Sequence, residues 1–201
     1  MVMDRIYQQT PPNVQLANAL AAIAALQAYN TPKVWVSGAD LVLGIGQSAN
    51  ITATAATSIP LHIACGDGQV YEIDIDGSFI LAAASTASYL APNNTTYANA
   101  FAHLYTTSNY TAATVTLGGV TETFFSLDTG LGTSIQNGSC IIFTSTANKK
   151  GHGFSKGGTT TAECGSQFAV RWNDTTTVWS SLGTITMPNA WTGQIVVRRV
   201  A

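Results

Sequence analysis

The chain is 201 residues long, enough for one substantial domain, and its 46% hydrophobic content allows a packed core and excludes global disorder. Only 9% of its residues are charged, against roughly 25% in a typical globular domain. The net charge of -2 leaves no electrostatic footprint for nucleic acid or an anionic membrane. Two stretches, Leu41–Gly66 and Gly77–Thr121, contain no Asp, Glu, Lys or Arg. Thr, Ala, Gly, Ser and Asn stand in their place. Mixed surface charge normally keeps a monomer soluble, so a hydroxyl- and amide-rich surface suits a chain whose surface faces copies of itself. This composition points to a structural or adhesive protein rather than a metabolic enzyme.

Leu16–Ala28 has the apolarity of a signal-peptide core, but Asp4-Arg5 is neutral overall, Pro11-Pro12 interrupts the segment, and no A-x-A site follows. The uncharged run Ile6–Pro32 is broken by Gln, Asn and Pro, so it lacks the ~20 consecutive apolar residues of a membrane span. The expectation is a protein folded in a cytoplasm, without a cleaved signal and without membrane contact. Asn13 is a suitable cap for a helix over Val14–Tyr29, with Leu16, Leu20 and Ile23 at i, i+4 and i+7 and Leu26 extending the stripe. The helix has no charged face, so it should be buried, either on its own β-domain or against symmetry copies and a neighbouring protein. Residues 1–32 are therefore a docking or oligomerisation segment.

From Lys33 the period changes to two. Val34, Val36, Leu41–Ile45, Ile51, Ile59–Ala64, Val70–Ile75 and Phe79–Ala83 are candidate strands, separated by Ser37-Gly38, Gly46, Pro60, Gly66-Asp67-Gly68 and Asp76-Gly77. Tyr71, Ile73 and Ile75 alternate with Glu72, Asp74 and Asp76, a half-buried strand, and Asp76-Gly77 predicts a hairpin turn into Ser78–Ala84. Pro92-Asn93-Asn94 is the best internal boundary, and Ala91–Asn109 reads either as a short helix or as a strand. Ala113–Leu117, Thr121–Leu127, Ser139–Ser145, Gln167–Trp172, Thr177–Met187 and Gln194–Val200 continue the strands. Without intervening helices, this spacing predicts a mainly β domain over 33–201, an antiparallel sandwich or jelly roll behind the amino-terminal helix.

No motif carries catalysis. G-x-S-x-G is absent, and His62, His103 and His152 lie far apart without acidic partners of recognisable spacing. His62, inside an apolar run, reads as a hydrogen-bonded core or interface residue. Lys149, Lys150 and Lys156 read as a solvated Gly-rich loop, and the loop lacks the order of a phosphate-binding turn. Glu72, Asp74 and Asp76 form an exposed strand face; a calcium site would need a loop geometry that strand spacing does not give. No cofactor and no metal is expected. Cys65, Cys140 and Cys164 read as reduced, with a Cys140–Cys164 bridge as the alternative. Tyr97, Tyr105 and Tyr110 in an uncharged stretch, with Trp191 near the end, are candidate glycan contacts. Trp172 and Trp179 read instead as a pair pinning the Asn173-Asp174 turn.

The ending Val178–Pro188 (VWSSLGTITMP) and Trp191–Arg199 (WTGQIVVRR) resembles the last two strands of small β-domains in tailed-bacteriophage virion proteins. Lys33–Gly38 (KVWVSG) behind an Ala-rich segment, and Gly66–Ile73 (GDGQVYEI), are similar in texture. The resemblance implies a virion structural protein, a homotrimeric tail fibre or neck appendage, with capsid decoration as the alternative. It implies assembly with itself and with other virion proteins, and it carries no catalytic residue onto this chain. A host-surface glycan-binding module is the rival reading.

Overall fold

The computed structural model describes residues 12–79, 87–94, 102–109, 112–119, 125–126, 135–158, 163–172 and 175–201. It is mainly β, with one helix near the amino terminus and a curled antiparallel sheet of ten strands. The helix, α1, spans Pro12–Asn30. The strands are β1 (Leu41–Val42), β2 (Ser48–Pro60), β3 (Ile63–Ala64), β4 (Val70–Phe79), β5 (Ala87–Ala91), β6 (Ala102–Asn109), β7 (Ala112–Gly119), β8 (Phe125–Ser126), β9 (Ile135–Phe143), β10 (Lys150–Gly158), β11 (Glu163–Arg171) and β12 (Thr184–Arg199). β1 and β3 form a separate two-stranded parallel ladder.

β12 organises the sheet. Its first residues pair with β5 on one side and with the end of β2 on the other, and its second half pairs with β4 and with the start of β2. From β4 the ladder continues through β9, β10, β11 and β6 to β7. The period-two pattern of β12 places Ile185, Met187, Trp191, Ile195 and Val197 on the buried face. Tyr71, Ile73 and Ile75 of β4, Cys140 and Ile142 of β9, and Ala49, Ala53 and Ile59 of β2 join them. Leu43, Leu61, Ile63, Trp172, Trp179 and Leu182, from connecting segments and β3, close the core over this face.

Several elements differ from the expectation. Thr177–Met187 and Gln194–Val200 are not two strands: a single strand begins at Thr184 and absorbs Pro188 in an irregularity, with residues 187–190 lying opposite Thr57 alone. Asp76-Gly77 is not a turn but the interior of β4, where Gly77 pairs with Gly193; 80–86, most of the expected hairpin partner, lies outside the described residues. Lys149–Gly158 is not a solvated loop. β10 is paired on both sides, by β9 and β11, and Lys149 is fully buried, its Nζ 3.2 Å from the Thr146 carbonyl and 5.8 Å from the centre of the Trp179 ring. Glycines at 151, 153 and 157 hid the strand, because they leave no side-chain alternation to read. The ambiguous segment resolves into a 3-10 turn at Pro92–Asn94 and strand β6, with 95–101 outside the described residues.

Candidate functional site

Two features stand apart from the core: α1 and a cleft beside Trp35. The composition of α1 explains why it is a helix. Ala, Leu and Gln are strong helix formers, and Pro12, the first described residue, is suited by its fixed φ to an early helical turn. Asn13, expected as the cap, lies within the helix. It ends where the Thr31 amide and hydroxyl both donate to the Gln27 carbonyl, at 3.0 and 2.8 Å, and Pro32 prevents continuation. Tyr29 ties its last turn to the β-domain: the hydroxyl donates to the Ile45 carbonyl, beside Gly44 and Gly46.

Among the described residues the Tyr29 hydroxyl is the last-turn contact that ties the helix to the β-domain. Every residue of α1 is exposed, with Leu16 and Leu26 at 61%, Leu20 at 57% and Ile23 at 53%. Among the described residues the β-domain therefore does not bury α1. At 100° per residue the four large side chains occupy an arc of about 120°. The opposite side carries Ala17, Ala21, Ala24, Ala25 and Ala28, with the larger Val14 among them. Size rather than polarity separates the two faces.

The cleft is built by the segment that follows. That segment meets the edge of β2 at Lys33, whose amide donates to Ser48 O at 2.8 Å and whose carbonyl accepts the Asn50 amide at 2.9 Å. Beyond this bridge the segment leaves the strand edge and Trp35 stacks on His62, with ring centres 3.5 Å apart and planes 3° from parallel. Both rings are anchored. Trp35 Nε1 donates to the Ala39 carbonyl at 3.2 Å. His62 adopts φ +53°, with Nδ1 3.4 Å from Asp40 Oδ1. Asp40 Oδ2 accepts the Ser181 hydroxyl at 2.6 Å. Between this stack and β2 lies a cleft of about 630 Å³.

Ser181, Asp40 and His62 are the three residue types of a hydrolytic triad in the wrong order. The Ser181 hydrogen goes to the carboxylate, so the imidazole is not placed to take it. The arrangement locks the loops at 40, 62 and 181 together. Asn93 adds to this lock: its Oδ1 accepts the Ser180 and Ser181 amides at 2.8 and 3.0 Å. Sequence spacing does not show the Asp40–His62 pairing, because it joins residues on separate segments.

The other expected site residues distribute as follows. Trp191 is fully buried and cannot be a glycan platform; its indole fills the space above the paired glycines Gly77 and Gly193, which have no side chains of their own to fill it. Tyr97 and Tyr110 lie outside the described residues, and only the backbone of Tyr105 is described, opposite Phe168 and Thr116 in β6. Trp172 and Trp179 are buried and meet edge to face, with centres 4.9 Å apart, though neither lies in a strand. Glu72 faces Arg198 across the ladder, Oε2 to Nη1 at 3.1 Å. Among the described residues no group of three or more His, Cys, Asp or Glu could hold a metal ion.

Cys140 is free, and a bridge to Cys164 is excluded: the two lie on opposite sides of β10, facing Gly153 and Gly157 respectively. Cys65 is also free, and its thiol donates to the Trp179 carbonyl at 3.4 Å. Burial, and then the charge of Asp40, push the Cys65 thiol up to about 12. No described helix is long and apolar enough to cross a membrane. No family model, curated protein or solved structure matches the chain.

Proposed function

We propose that the chain is a structural component of a tailed-bacteriophage virion, a tail-fibre or neck-appendage protein that assembles as a homotrimer through α1. The observation that carries the assembly is the uncovered helix: a 19-residue segment without one charged side chain, whose four Leu and Ile side chains are each more than half exposed. Burying a Leu or Ile fully is worth roughly 1.5–3 kcal/mol, so each copy has a strong drive to cover this face before the entropy of association is subtracted.

The occupant is the same helix from other copies. Recognition of a different partner by charge complementarity is closed to an uncharged helix, whereas identical apolar faces complement one another. Asn13, Leu16, Leu20, Ile23, Gln27 and Asn30 follow the alternating three-and-four spacing of a coiled-coil seam. The amides at 13 and 27 would meet their counterparts across a parallel seam and fix its register. The virion assignment rests on the sequence likeness of Val178–Pro188 and Trp191–Arg199 to small phage β-domains, although here the second segment and the end of the first share one strand. Light scattering should give three times 21.0 kDa for the full chain, and Leu20→Asp should return a folded monomer. A monomeric full chain would remove the proposal.

A further inference from the structure

We propose that the cleft between Trp35 and β2 binds an uncharged saccharide, independently of assembly through α1. Its lining decides the class of ligand. Trp35 and His62 supply an aromatic wall, and Asn50, Thr52, Thr54 and Gln194 supply amide and hydroxyl groups. Among the described residues no Asp, Glu, Lys or Arg lines it, so a charged ligand finds no counter-ion there. A pyranose matches these features: an apolar face of C–H groups to lie on an aromatic ring, and hydroxyls on its rim to exchange hydrogen bonds with amides and hydroxyls. The volume of about 630 Å³ falls within the range of small-ligand sites and has room for a short oligosaccharide.

The wall is fixed before any ligand arrives. The parallel stack, the Trp35 bond to Ala39 and the Asp40–Ser181 support of His62 remove the cost of ordering these rings on binding. Preorganisation of this kind carries backbone strain: His62 at φ +53° lines the cleft, and Ala55 at φ +51° lies between two of its lining residues, Thr54 and Ala56.

An extended peptide adding to the edge of β2 is the competing occupant of the same space. The geometry disfavours it. β2 loses its regular register at Ala55–Ala56, and the Ala55 amide is turned to Thr192 Oγ1 at 2.9 Å rather than outward. An irregular edge of this sort is a poor template for another strand.

The test is the full chain on an array of neutral, sialylated and uronate-bearing oligosaccharides, followed by amide and indole shift mapping with the best neutral trisaccharide. Retention of neutral glycans is expected, with shifts at Trp35 Nε1, Asn50, Thr52 and Thr54. Trp35→Ala should weaken binding at least tenfold. Thr54→Arg, at an exposed position that leaves the core untouched, should do the same by crowding the cleft and charging it. The Leu20→Asp variant should retain binding, which separates the cleft from the assembly. A blank array, a preference for acidic glycans, shifts confined to other residues, or binding undiminished in both cleft variants would each overturn the proposal.

Discussion

Trp191 sits over the cross-strand pair Gly77 and Gly193. A Cβ on Gly193 would lie 2.6 Å from its Cζ2, and one on Gly77 would lie closer still to the same atom. Both positions need glycine for close approach to the indole and to the backbone of the partner strand, not for a turn. Gly77→Ala should therefore destabilise by about 1–3 kcal/mol through overpacking, measured by denaturant unfolding. The double variant with Trp191→Leu should lose less than the sum of the two single changes. This is also where sequence reading failed most instructively. Asp76-Gly77 carries a strong turn signal, and the indole that overrides it lies more than a hundred residues away.

Two further residue-scale consequences concern pH. Cys65 and Cys140 are both held protonated well above their ordinary 9.0, chiefly by burial. Neither should be alkylated at pH 8 in the native protein, and both should be in denaturant, as read by peptide mass spectrometry. Asp67 shifts the other way. Its Oδ1 accepts the Thr146 amide at 2.5 Å and the Thr146 hydroxyl at 2.8 Å, which lowers its carboxyl below the ordinary 3.8. A depressed folded value means the tie contributes above the unfolded value and is lost as pH falls through the folded one. Asp67→Asn should therefore remove part of the acid sensitivity of unfolding in that window and leave the profile near pH 7 parallel to the parent.

Among elements, α1 was legible nearly to the residue, because a helix without breakers announces itself locally. The half-buried strand at 70–75 was legible from its alternation of Tyr71, Ile73 and Ile75 with acids. β10 was not, since glycine erases alternation, and β12 was broken in two by a Pro188 that the structure accommodates as an irregularity. The Trp35–His62 cleft was invisible for a different reason: it depends on a positive φ and on three segments brought together by the fold. β12 hydrogen-bonds to strands on both sides along its second half. Hydrogen exchange should accordingly place Ile195 and Val197 among the slowest amides, at the global unfolding free energy. In contrast, an exposed helix of this length is marginal alone. The amides of 16–26 should be protected in the assembled protein and exchange freely in Leu20→Asp; equal protection in both would mean that something other than partner copies holds α1.

At the scale of the whole molecule, two properties agree. The chain has few charges with which to stay dispersed, and it carries an apolar helix that its own β-domain leaves bare. Since no residue of α1 belongs to the core, the helix contributes little to folding and is free to serve assembly. The β-domain supplies a stable body, and the Trp35 cleft is proposed as a separate recognition feature. The most direct measurement is the molar mass of the full chain and of Leu20→Asp by light scattering at one concentration, with circular dichroism to show that both retain the β-domain. A trimer for the first and a folded monomer for the second is the predicted result. The same mass for both, whether monomer or trimer, would contradict assembly through α1.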